Sequence, residues 1–215
     1  GGGATAVGAN VTPTNGGAGG AGLDVSSDYG NIGPTCSVFA GGGGGAGIGG
    51  SGGTAGPGGG GRGANHTPPS GTDNITSTAG TTNTGGGGGA GSGCAAPSTG
   101  SAGGSGIVVV KELNKASGMW SMKSQFSNKQ QGTWPKPPVE IDYLVIAGGG
   151  GAANHKASGG GAGGFRTSYG CACASALSVQ AGSYTITIGA GGGGGTGGPQ
   201  AGLSAGSPSI FSTIT

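Results

Sequence analysis

The chain has 215 residues, of which 63 are Gly, 7% are charged and 5% are aromatic, and its formal net charge is +2. Average usage is about 7% Gly and about 25% charged residues, so a conventional side-chain core of this size is excluded, and so is the charge-rich composition usual in disorder. The weak charge leaves no electrostatic footprint for nucleic acid or an anionic membrane, and no apolar run approaches the roughly 18 residues of a membrane-crossing helix.

Three parts follow one another. Residues 1–106 are rich in Gly, Ala, Ser and Thr, with polar interruptions such as "GLDVSSDYG" and "NHTPPSGTDNIT". Their glycines come in runs without the Gly-X-Y period of collagen. Residues 107–147 have ordinary composition and read as strand, helix, strand. Ile107–Val110 is β-branched and bounded by Gly106, which predicts a strand. Ser117 is a candidate N-cap for a helix over Trp120–Gln131, with Met122 and Phe126 one turn apart on one face. Gly132 and Pro135 are stop signals. The stretch "VEIDYLVIA" (139–147) alternates and then turns fully apolar, which predicts a second strand.

Residues 148–215 are glycine-rich again but carry strand signals. Leu177–Gln180 and Tyr184–Ile188 read as two strands joined by a turn over 181–183. Phe211–Thr215 alternates as well, and its pattern reads as continuing beyond the last residue or in another subunit.

Good strands lead straight into glycine runs at "YLVIAGGGG", "TITIGAGGGGG" and "SVFAGGGGGAG". An ordered Gly loses more backbone entropy than any other residue, so a folded run must satisfy its N–H and C=O groups well. One regular solution is a polyproline-II-like helix of about 3 residues per turn, with no internal hydrogen bonds. Its outward-pointing groups can bond to as many as six neighbouring rods. Strand and rod are both extended, so one is expected to pass smoothly into the other. The competing reading is that the runs are flexible linkers.

Candidate chemistry is sparse. Matches to G-x-G-x-x-G arise by chance in such a chain and lack the strand–turn–helix context of a dinucleotide site. His66 and His155 sit in polar contexts that predict exposed loop histidines, with no ligand spacing around them. No acid pair or nucleophile elbow is present, so neither catalysis, a metal nor a cofactor is expected. Cys36, Cys94, Cys171 and Cys173 allow three intramolecular pairings; Cys36–Cys94 is a candidate disulfide, with Cys171 and Cys173 left for other partners. Asn65 and Asn74 are formal glycosylation acceptors, as is Asn10, which Thr12-Pro13 weakens. Trp120 and Trp134 are expected to anchor a small hydrophobic plug with Met119, Met122, Phe126 and Leu144; the alternative is sugar stacking on exposed Trp.

At "ASGMWSMKSQFSNKQQGTWP", "YLVIAGGGG", "GGGAGGFRT", "YTITIGAGG", "SPSIFSTIT" and "GGSGIVVV" the chain resembles glycine-rich fibre and structural proteins of phages of aquatic bacteria. More distantly, in architecture, it is similar to the distal tail-fibre adhesins of T-even-like phages, whose glycine-rich domain is a sandwich of polyglycine-II helices. The order of segments departs from that pattern. Residues 1–112 look like the second half of one unit and residues 113–215 like the first half of the next, as in a tandem-repeat fibre.

The expected fold is therefore irregular and mostly β or extended, with short strands and one small helix joined to a polyglycine-II bundle. The expected function is a non-enzymatic fibre or adhesin subunit at the virion surface or outside the cell, forming a homo-oligomer or a fibre of repeated units. The loops "NHTPPSGTDNIT" and "PTCSVF" are expected to meet a host-surface glycan or protein. The alternative is a bacterial extracellular filament polymerising head to tail.

Overall fold

The computed structural model of the chain describes residues 1–66, 73–92, 99–112, 121–131, 139–153, 158–169, 175–180, 182–196, 202–212 and 214. In chain order the elements are β1 (Leu23–Asp24), α1 (Ser26–Tyr29), β2 (Val38–Phe39), β3 (Gly47–Ile48), β4 (Asn65–His66), β5 (Asp73–Ile75), β6 (Ile107–Glu112), α2 (Met122–Gln130), β7 (Val139–Ile146), β8 (Phe165–Thr167), β9 (Leu177–Val179), β10 (Ile186–Thr187) and β11 (Ile210–Phe211). Short strands in small sheets dominate, which is the irregular, mostly extended class that the composition implies.

β7 is the structural centre. It pairs antiparallel with β6 from Ile107↔Ile146 to Glu112↔Ile141. Its other edge takes β8 opposite residues 144–146 and β9 opposite residues 139–141. Residues 141–146 are all buried, as expected of a strand covered on both faces, whose sequence loses its polar alternation.

Successive side chains alternate between two small cores. Leu144 and Ile146 pack with Val25, Phe39 and Ala40, and Ile107, Val109 and Phe165 close the cluster. Ile141, Tyr143 and Val145 pack on the opposite face with Phe211, joined by Val108, Leu177 and Val179. Segments distant in sequence thus clamp one strand.

Both strands of the central part form as the sequence predicts, and β6 extends to Glu112. The C-terminal hairpin does not. β9 pairs with β7, whereas β10 is reduced to Ile186–Thr187 and pairs with β11. The β7 edge offers Leu177 and Val179 apolar partners that a hairpin with the exposed β10 would not supply.

The helix starts at Met122, and Met122 and Phe126 are 86% and 68% exposed. Neither therefore anchors a core among the described residues, and Leu144 packs in the Phe39 cluster instead. α2 is polar (MKSQFSNKQ), too poor in apolar residues to hold a buried face. No helix among the described residues is long and apolar enough to cross a membrane.

Most described residues of the glycine runs are neither helix nor strand, yet their backbones are closely bonded. Every N–H and every C=O of residues 40–45 has a partner. Residues three apart share a neighbour: Gly41 and Gly44 donate to Gly58 and Gly61, and Gly42 and Gly45 donate to Gly20 and Gly17. On the acceptor side, the carbonyls of residues 41 and 44 take Gly87 and Ala90, those of 42 and 45 take Gly56 and Gly53, and those of 40 and 43 take Ala4 and Gly1. Ala40 and Gly43 donate to Thr84 and Gly160.

The entry into this run is not smooth. Ala40 has φ 58, a left-handed residue between β2 and the glycines. The strand passes into its glycine run without a positive φ at β7, which enters residues 147–153, and at β10, which enters residues 188–196.

Candidate functional site

Neighbouring glycine segments lie so close that side chains are excluded between them. A Cβ on Gly43 would stand 1.9 Å from the Gly88 carbonyl oxygen, one on Gly89 1.8 Å from that of Arg62, and one on Gly19 2.0 Å from that of Gly42. Such contacts lie far inside van der Waals distance and face rigid backbone. Ala40, Ala64, Ala90 and Ala152 are buried at the ends of the runs, where a methyl fits.

A second segment repeats the arrangement. Gly87 and Ala90 donate to Gly41 and Gly44; Gly88 and Gly91 donate to Gly150 and Ala153. The carbonyls of residues 85–90 accept in turn from Gly163, Gly104, Gly61, Gly160, Ser101 and Ala64. Gly100, Gly103 and Gly106 donate to Gly195, Gly192 and Gly189, again every third residue. These segments make one hydrogen-bonded lattice whose specificity lies in spacing and in the lack of side chains.

The predicted site residues do not converge. Trp120, Trp134, Cys94, Cys171, Cys173 and His155 lie outside the described residues. Cys36 is a free, exposed thiol, and its candidate partner Cys94 is outside the described residues. The loop "PTCSVF" is only partly available as a surface, because Ser37 and Phe39 are fully buried and Phe39 belongs to the core.

His66 is buried rather than exposed: it lies on β4, which runs parallel to β3 and antiparallel to β5. Asn65 stands beside it with Oδ1 buried and unpartnered, a poor setting for a sugar attachment that needs a free side chain. Asn74 lies on β5. No group of His, Cys, Asp and Glu suited to a metal is found among the described residues.

One buried polar pair was not foreseen. Ser168 Oγ donates to Asp142 Oδ1 at 2.8 Å and accepts the Tyr143 N–H at 3.0 Å. Both Asp142 and Ser168 are buried, so the hydroxyl fixes a carboxylate against the central strand beside β8. The polar Asp142 in the alternating stretch was visible in the sequence, but its partner was not. Elsewhere, the Ser26 N–H holds the exposed Asp24 carboxyl below its ordinary range, and burial raises the Tyr29 hydroxyl.

A family model described as a glycine-rich domain matches residues 126–215. The match takes in β7 and the glycine segments behind it, and the segment of residues 40–45 lies outside it. No curated protein matches the chain, and no solved structure does.

Proposed function

We propose that the chain is a non-catalytic structural unit whose glycine segments form a bundle of polyglycine-II helices. The supporting observation is the bonding of residues 40–45, whose donors and acceptors point in six directions, in five of which residues three apart share one neighbouring segment. A rod with about 3 residues per turn and outward-pointing peptide groups has that symmetry. A β-strand has period two and bonds only to two neighbours. The steric demand for Gly at the contacts is what such a bundle requires.

A unit of this kind is suited to load-bearing. Backbone hydrogen bonds carry the cohesion, and loops at the rod ends remain free to vary. The tail-fibre or virion-surface version of this role, with a host-surface glycan or protein as partner, is supported by the sequence resemblance described above. A bacterial extracellular filament is the alternative form of the same role.

Diffraction from oriented material tests the reading. A meridional repeat of about 3.1 Å is expected for polyglycine-II rods. A pattern dominated by the roughly 4.7–4.8 Å spacing of paired strands would overturn it.

A further inference from the structure

The segment of residues 147–153 is coordinated on all sides but one. Its N–H groups at 147 and 150 go to Gly164 and Gly161, those at 148 and 151 to Ser207 and Ser204, and those at 149 and 152 to Gly104 and Ser101. Its carbonyls at 149 and 152 accept from Gly192 and Gly195, and those at 150 and 153 from Gly88 and Gly91. By the same three-residue period the remaining direction belongs to the carbonyls of Gly148 and Gly151, and no described residue donates to them.

At Gly148 that direction meets an open groove of about 370 Å³, lined by Ala147, Gly148 and Gly150, residues 161–164, and Ala205, Gly206 and Pro208. On its far wall the N–H groups of Gly161 and Gly164, also three apart, donate to no described residue.

Three of the six glycines that line this groove, Gly150, Gly161 and Gly164, have no steric reason of their own to be glycine, whereas Gly148, Gly163 and Gly206 pack against neighbouring backbone. A Cβ on Gly161 would meet nothing within 4 Å, and one on Gly164 would meet only Ala147 Cβ at 3.9 Å. On Gly150 the nearest atoms would be those of Gly161 at 3.6 Å. Elsewhere in the lattice a Cβ would stand about 2 Å from a neighbouring carbonyl, as at Gly43 and Gly89. Bare positions and unmet donors and acceptors therefore meet along one groove.

We propose that this groove is a vacant rod position that receives a glycine-rich segment from a second copy of this chain. The inference rests on the polyglycine-II reading above. The unmet groups recur every third residue, the interval of a polyglycine-II rod, and a chain with 63 Gly among 215 residues carries such segments in number. The net charge of +2 sets little repulsion against self-association.

The test uses the whole chain and the variants Gly161→Ala and Gly164→Ala, whose methyls have room in a single copy but would strike an inserted rod. Sedimentation of the parent chain is expected to show association that grows with concentration, with the Gly161 and Gly164 amides becoming protected from hydrogen exchange as it does. Each variant is expected to weaken association at least about tenfold, while the amides of residues 40–45 stay protected. A parent chain that stays monomeric with those amides protected would overturn the groove alone, as would association unchanged in the variants. If the amides of residues 40–45 exchange freely, the lattice reading falls and the groove with it.

Discussion

Gly43 donates its N–H to the carbonyl of Gly160 at 2.9 Å, joining the N-terminal glycine runs to the segment that follows β7. The two stretches are separated in sequence by all of the ordinary-composition part, yet they meet in one lattice. Glycine runs are commonly taken for linkers. Here they are among the most highly bonded parts of the backbone, and most of their consequences follow from that.

Gly89→Ala is expected to prevent folding or to lower stability by more than the roughly 1–3 kcal/mol typical of overpacking, because the new methyl faces the Arg62 carbonyl. Gly2→Ala has open space around it and is expected to change stability by less than about 1 kcal/mol. Thermal melts of the two variants make the comparison, and equal effects would contradict a lattice that excludes side chains.

Phe39→Ala empties a fully buried position that packs against Leu144 and Ile146. A loss of about 3–5 kcal/mol is expected, read as a lower denaturation midpoint. Phe126→Ala, on the exposed face of α2, is expected to stay within about 0.5 kcal/mol.

Ser168→Ala leaves the Tyr143 N–H and the buried Asp142 carboxyl without their shared partner. The expected loss is about 1–3 kcal/mol, and the double variant with Asp142→Asn should lose less than the sum of the singles. Strict additivity in that cycle would show that the pair does not act as a unit.

The melting temperature is expected to change only modestly between about pH 5 and pH 9, falling as pH drops through the range of the Gly1 amine, whose charged form burial disfavours. Asp24 is held below its ordinary pKa by the Ser26 N–H, so its contribution is present above the unfolded value and fades as pH falls through the lower folded one. Being fully exposed, it gives a small acid edge. Tyr29 is raised by burial, so its contribution is complete below the unfolded value of about 10 and is lost as pH rises above it. A steep change near neutrality would show that another group titrates on unfolding.

Cys36 is free and exposed in the folded chain. A thiol reagent under native conditions is expected to label it without loss of structure. Resistance to labelling until denaturation would mean that its surface is covered.

The strands of the central part were legible because β-branched and alternating residues carry a local signal: β6 and β7 lie where Ile107–Val110 and "VEIDYLVI" place them. The pairing of β9 with β7 was not legible, because a three-residue strand does not declare its partner. Met122 and Phe126 at helical spacing suggested a buried face, but the remaining residues of α2 are too polar to support one. His66 looked like a loop histidine because burial on β4 is decided by β3 and β5 on either side. The lattice was legible in kind, since runs of Gly demand bonded backbones. Its registers were not, because every glycine reads alike and only the folded arrangement tells Gly20 from Gly17.

The segment of residues 41–47 runs parallel to 58–64, while residues 42 and 45 are bonded antiparallel to Gly20 and Gly17. A lattice that accepts either polarity reads interval and ignores heading. If the segments are the polyglycine-II rods proposed above, they are interchangeable parts: connections between them could be lengthened, cut or rerouted without changing the interval at which neighbours bond. Such an architecture lets its loops diverge or its segments be reshuffled while the interior remains the same.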